Sequence, residues 1–90
     1  NIKINIYRII QEAIANIYKH SQATSVEILI HKLKNRLIIE IKDNGKGFDP
    51  NNSTAGIGLK NMKNRSRTMK GKLSITTSSE GTLIKLVVKI

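Results

Sequence analysis

The spacing of apolar residues changes along the chain, and each change marks an element. Over residues 4–21, Ile6, Ile9, Ile10, Ala13, Ile14 and Ile17 recur at helical spacing and define one apolar face of a helix. Over residues 25–32 the period falls to two. Val26, Ile28 and Ile30 alternate with Glu27, Leu29 and His31, as in a strand. Lys34-Asn35 reads as a tight turn. Leu37, Ile39 and Ile41 then alternate with Ile38, Glu40 and Lys42 in a second strand ending at Asp43, so the two strands form a hairpin. Residues 44–56 are rich in Gly, Asn, Ser and Thr, contain the single proline, Pro50, and read as a loop. Helical spacing returns over residues 58–70 with Leu59, Met62 and Met69, and Gly71 stops it. Residues 73–77 and 82–90 make a last hairpin around Ser78-Ser79-Glu80-Gly81. This order predicts an α+β fold: a two-layer α/β sandwich whose mixed, mostly antiparallel sheet is covered on one face by helices.

Composition narrows the setting. Ninety residues suit one small domain, and a core must come from Ile, Leu and Val because aromatic residues make up 3% of the chain. The absence of Cys excludes disulfides and thiolate metal sites. No apolar run approaches the ~18 residues of a membrane span, and no signal peptide is visible. The helical pattern begins at the first residues, as expected of a fragment of a longer chain. Sixteen Lys and Arg against six Asp and Glu give a formal charge of +10. That balance favours anionic partners, namely nucleotides, nucleic acids or acidic protein faces. The basic residues are spread along the whole chain, so a solubilising surface is an equal reading.

Three segments carry candidate chemistry. On the first helix, Glu12, Asn16, Lys19 and His20 line one side, along the edge of the apolar face, at about 100° per residue. An acid, an amide and two potential cations can serve a metal-bound polyphosphate, because magnesium takes oxygen ligands and keeps several waters. A solvated helix flank with a Glu12/Asn16/Lys19 surface network is the alternative. The second segment is Asp43-Asn44-Gly45-Lys46-Gly47-Phe48. Asn-Gly is a hairpin signal, but Gly47, Asp49, Pro50, Asn51 and Asn52 make a poor returning strand. An acid at the end of a buried strand, beside two glycines, can accept the exocyclic amino group of adenine, whereas guanine presents a carbonyl there. The third segment, Gly56-Ile57-Gly58-Leu59, is expected to open the second helix, exposing backbone N–H groups to an anion. It is neither a Walker A loop nor a full dinucleotide fingerprint. Each glycine also has an ordinary reading as a loop residue or helix start.

In this order, the three segments resemble the Bergerat-type ATP-binding fold of gyrases, heat-shock chaperones, histidine kinases and mismatch-repair ATPases. Tyr7-Arg-Ile-Ile-Gln-Glu-Ala-Ile-Ala-Asn-Ile-Tyr-Lys-His-Ser-Gln-Ala23 and Gly58-Leu-Lys-Asn-Met-Lys-Asn-Arg65 resemble bacterial sensor histidine kinases, in the subgroup paired with helix-turn-helix response regulators. The resemblance covers nearly the whole chain. It implies that residues 1–90 are an ATP-binding catalytic domain using ATP and Mg²⁺, with Asn16 on the metal and Lys19 and His20 at phosphate oxygens. Asp43 would receive the adenine amino group, Gly45 and Gly47 would shape that wall, and the segment Gly56, Ile57, Gly58 and Leu59 would frame the phosphates. Thr82 would support the adenine contact, and residues 44–56 would be a short lid over the nucleotide. Glu12 would orient reacting groups or accept a proton. Neither His20 nor His31 suits the phosphoacceptor, which in such kinases lies on a separate dimerisation helix. The implied partners are therefore that absent domain, a response regulator with helix-turn-helix output and a second copy in a full-length homodimer, with no direct contact to nucleic acid. The implied setting is a cytoplasmic domain of a parent that can be membrane-anchored.

Two other readings compete. One is a related serine kinase or hydrolysing ATPase, against which Lys19-His20-Ser21-Gln22-Ala23 argues. The other is a basic nucleic-acid-binding module. It is supported by the charge but opposed by Tyr7, Tyr18 and Phe48, whose spacing makes no stacking platform.

Overall fold

The computed structural model describes residues 2–47 and 53–90, and at 53–55 the backbone alone. The elements follow in the order α1 (Ile2–His20), β1 (Val26–Leu33), β2 (Arg36–Asp43), α2 (Ser53–Thr68), β3 (Lys72–Ser78) and β4 (Gly81–Lys89). The strands form one sheet in the order β1-β2-β4-β3, and all three pairings are antiparallel. The helices cover one face, giving the two-layer α+β architecture that the apolar spacing predicts.

The core lies under the two central strands. Ile39 and Ile41 of β2, with Ile84, Leu86 and Val88 of β4, point at Ile9, Ala13 and Ile17 of α1 and at Leu59 and Met62 of α2. Burying each such side chain stabilises the fold by about 1.5–3 kcal/mol. Val26, Ile28 and Ile30 occupy the helix-facing side of β1, opposite Asp43, Ile41 and Ile39. They nevertheless stay exposed, because α1 and α2 sit over the inner strands and β1 is an edge. Alternation correctly predicts that a strand forms here, but not that a helix will cover it.

Both helix ends use the left-handed region of backbone space. Gln22 follows α1 with φ 55, and Lys19 and His20 place basic side chains at the negative end of the helix dipole. At the end of α2, the Gly71 N–H donates to the Ser66 carbonyl at 2.8 Å and the Lys70 N–H to that of Arg67 at 3.0 Å. This is a Schellman closure with Lys70, φ 56, at the left-handed position and Gly71 one residue later.

The start of α2 departs from the sequence reading. The helix begins at Ser53, not at residue 58, so Gly56 and Gly58 lie within it rather than at its exposed N–H end. A glycine inside a helix costs about 1 kcal/mol relative to Ala. Here the cost is offset by packing, since a side chain at Gly58 would run into Glu12 and Asn16 of α1. Part of the expected lid, residues 48–52, lies outside the described residues.

Lys70→Gly should stabilise the domain by about 0.5–1 kcal/mol, because glycine adopts the left-handed conformation without steric cost. The check is thermal denaturation, where such a gain raises Tm by a few degrees; a lower Tm would contradict the assignment of this closure.

Candidate functional site

One end of the site is built where β2 stops. Asp43 is its last residue, 3% exposed, and pairs with Val26 on one side and Thr82 on the other. Its Oδ1 accepts a 2.7 Å hydrogen bond from the Gly45 N–H, while its Oδ2 is buried with no partner. The Asn44 side chain turns away to bind the start of β1. Its Oδ1 accepts from the Thr24 and Ser25 N–H groups, each at 3.0 Å, and its Nδ2 donates to Thr24 Oγ1 at 2.9 Å. The Asp-Asn-Gly run is therefore a strand-end turn fixed from a distance, not the tip of a hairpin. Gly45 lies so close to Ser21 that a Cβ would meet the Ser21 backbone oxygen. Gly47, with φ +76, lies against the Ser78 carbonyl, and Gly81, with φ +142, lies against the carbonyl of Asp43. Thr82 is buried beside Asp43, and its hydroxyl is 2.9 Å from that of Thr77.

The other end is the polar stripe of α1. Asn16 is 3% exposed, and its Nδ2 has no partner. The Nε2 of His20 is also buried and unpartnered. Glu12 is half-buried and Lys19 is exposed. Gly58 of α2 lies over this stripe, where a Cβ would come within 2.5 Å of Glu12 Oε1 and 2.8 Å of Asn16 Nδ2. The structure thus brings Gly58 to Glu12 and Asn16, and Gly45, Gly47, Gly81 and Thr82 to the surroundings of Asp43. The other residues of the glycine segment differ in exposure. Ile57 is 63% exposed, Leu59 belongs to the core, and Gly56 is half-buried one turn along α2.

Among the described residues, four buried side-chain atoms lack a hydrogen-bond partner: Asn16 Nδ2, His20 Nε2, Asp43 Oδ2 and Ser66 Oγ. Leaving such a group unpaired costs about 1–3 kcal/mol, so native proteins keep few of them without a reason. Three of the four fall on residues of the stripe and the strand end. Two clefts open beside Asp43, of about 310 and 140 Å³. Both face the sheet side away from the helices, as their lining by Lys42 and Glu80 shows, so neither is the space in front of Asp43 Oδ2. No group of three or more His, Asp or Glu able to hold a metal occurs among the described residues.

The model of the histidine kinase-, DNA gyrase B- and HSP90-like ATPases matches residues 1–90. The chain belongs to that ATPase family. It is 41% identical over 98% of its length to the sensor histidine kinase ComP of Bacillus subtilis, and spans 12% of that protein. It is 39% identical over its full length to the signal transduction histidine-protein kinase/phosphatase DegS of Brevibacillus brevis, and spans 24% of it. Its fold matches the histidine kinase domain of the blue-light activated kinase of Erythrobacter litoralis with a TM-score of 0.79, at 15% identity over 93% of this chain and 45% of that one. The Acinetobacter baumannii histidine kinase AdeS matches with a TM-score of 0.79, at 18% identity over 94% of this chain and 45% of that one. Full-length ShkA in complex with AMPPNP matches with a TM-score of 0.77, at 20% identity over 93% of this chain and 21% of that one.

The sequence pattern singles out no local role for Ser21 or Thr77 and takes Asn44 only as the start of the lid, yet all three bond to segments around Asp43. Asn44 carried a signal, since an Asn at a strand end commonly bonds nearby backbone. Ser21 carried a weaker one, a small polar residue just past a helix end. Gly81→Ala should destabilise the domain by about 1–3 kcal/mol, because its φ of +142 strains any L-residue and the obstructing atom is backbone. Urea unfolding checks this, and an unchanged midpoint would contradict the contact with Asp43.

Proposed function

We propose that this chain is the ATP-binding catalytic domain of a sensor histidine kinase. The observation that carries the proposal is the set of unpartnered buried atoms on Asn16, His20 and Asp43. Asp43 Oδ2 is a bare acceptor at the end of a central strand, suited to the amino group of adenine and opposed to the carbonyl of guanine. The Gly45 N–H on Oδ1 fixes the carboxylate, and the buried Thr82 beside it restricts its movement. The AMPPNP bound to ShkA, a fold match, is in keeping with a nucleotide in this chain.

The stripe of α1 would hold the phosphate end. The unpartnered Nδ2 of the buried Asn16 is a donor suited to a phosphate oxygen, and its Oδ1 would supply a single neutral oxygen ligand to Mg²⁺, with phosphates and water completing the shell. When bound, the metal would neutralise charge on the phosphate oxygens. Lys19, exposed at the end of the stripe, would offset more of that charge, and His20 would donate to a phosphate oxygen. Asn16 lies beneath Gly58, so access to it requires the first turns of α2 to move aside. Gly56, Ile57, Gly58 and Leu59 would then frame the phosphates.

In the longer parent, a histidine of a dimerisation domain would attack the γ-phosphorus. A P–N bond forms, the bond to the β-phosphate oxygen breaks, and ADP leaves. Glu12, half-buried beside Asn16, would orient the attacking imidazole or take its proton. The phosphoryl group would then pass to an aspartate of a response regulator with helix-turn-helix output, the parent acting as a homodimer in the cytoplasm. No helix among the described residues is long and apolar enough to cross a membrane.

Asp43→Asn should lower ATP affinity at least tenfold and leave the fold intact, because the amide keeps the shape but presents a donor to adenine on one side. Calorimetric titration with Mg-ATP measures this. Undiminished affinity would overturn the adenine assignment, and steeply salt-dependent DNA binding without ATP binding would favour the nucleic-acid reading instead.

A further inference from the structure

Ser21 is fully buried at the junction of three segments, and the proposed reaction assigns it nothing. Its hydroxyl donates to the Ile17 carbonyl at 2.8 Å, closing the last turn of α1, and accepts from the Ala23 N–H at 3.2 Å, fixing the exit toward β1. Its own carbonyl accepts from the Lys46 N–H at 2.8 Å, and Gly45 packs against its backbone and side chain. Gly45 in turn donates to Asp43. Ser21 thus lies one contact from the residue that fixes the adenine carboxylate, and on the same chain segment as Asn16 and His20.

We infer that Ser21 is a positioning residue that sets the span between Asp43 and the phosphate stripe of α1. This rests on the nucleotide reading above. ATP bridges the two ends, so its affinity depends on their separation; adenosine engages one end alone. That end is independently held by the Gly45 N–H on Asp43 and by the bonds of Asn44 to Thr24 and Ser25. Removing the Ser21 hydroxyl frees the end of α1 and the Ala23 peptide, and so loosens the span while leaving the carboxylate in place.

The test compares ATP and adenosine binding to the whole 90-residue chain and to Ser21→Ala, by calorimetry for Mg-ATP and NMR titration for adenosine. The expected result is an ATP affinity about tenfold lower with adenosine affinity unchanged, and recovery of ATP affinity in Ser21→Thr, which keeps the hydroxyl. Parent-like ATP affinity in Ser21→Ala, or an equal loss for both ligands, overturns the inference. If Ser21→Ala does not give a cooperative thermal transition, Ser21→Cys, of similar size but a weaker donor, is measured by the same pair of ligands and read the same way. A parent chain that binds no ATP overturns the nucleotide reading and this role with it; a parent that binds, beside a variant that binds equally well, overturns only the role of Ser21.

Discussion

Asp43 combines near-complete burial with incomplete pairing: one carboxylate oxygen takes the Gly45 N–H and the other takes nothing. A buried, half-satisfied acid is costly, and it persists only where the surroundings leave it no alternative. Here they do. β1 and β4 pair with its backbone on either side, Gly81 packs on its carbonyl, and Thr82 is buried beside it. The close approaches of Gly45 to Ser21 and of Gly47 to Ser78 let the following turn fold back over the sheet end. The stability of the central strands maintains this arrangement, and the site inherits its rigidity from them.

The second constraint is the crossing of α1 and α2. α1 must bury Ile9, Ala13 and Ile17 in the sheet, which leaves Glu12 and Asn16 on the flank toward α2. α2 meets that flank with Gly58, whose missing side chain lets backbone approach the Asn16 carboxamide. The contact is tight enough to exclude even a methyl group. Part of the positive charge lies elsewhere. Arg36, Lys42, Lys85 and Lys89 alternate with the core residues of β2 and β4 and so point to the uncovered sheet face, where Glu40 stands opposite Lys85. These four of the sixteen Lys and Arg thus lie on the sheet face away from Asn16 and the core.

Much of the fold was legible because its signals are local. A period of two placed β1 and β2, and the turn around Ser78–Gly81 placed β3 and β4, each within a residue; the strand ending at Asp43 was read to its last residue. The start of α2 was not legible. Gly56 and Gly58 argue locally against a helix, and Gly58 packs within one on Glu12 and Asn16, far away in sequence. Ser21 escaped notice for the same reason, since Lys46 and Gly45 reach it only once the chain has folded. Leu59 carries a side chain in the core, which the reading of its segment as a phosphate loop left unsaid.

The central claim is that the unpaired atoms of Asn16, His20 and Asp43 are where a nucleotide binds. An NMR titration of the labelled chain with Mg-ATP tests it most directly, followed at the Asn16 carboxamide, the His20 ring and the Gly45 amide. The account predicts saturable shifts at all three, with the β1–β2 turn at Lys34 and Asn35 unmoved. Absence of saturation, or shifts confined to Arg36, Lys42, Lys85 and Lys89 on the open sheet face, would contradict it.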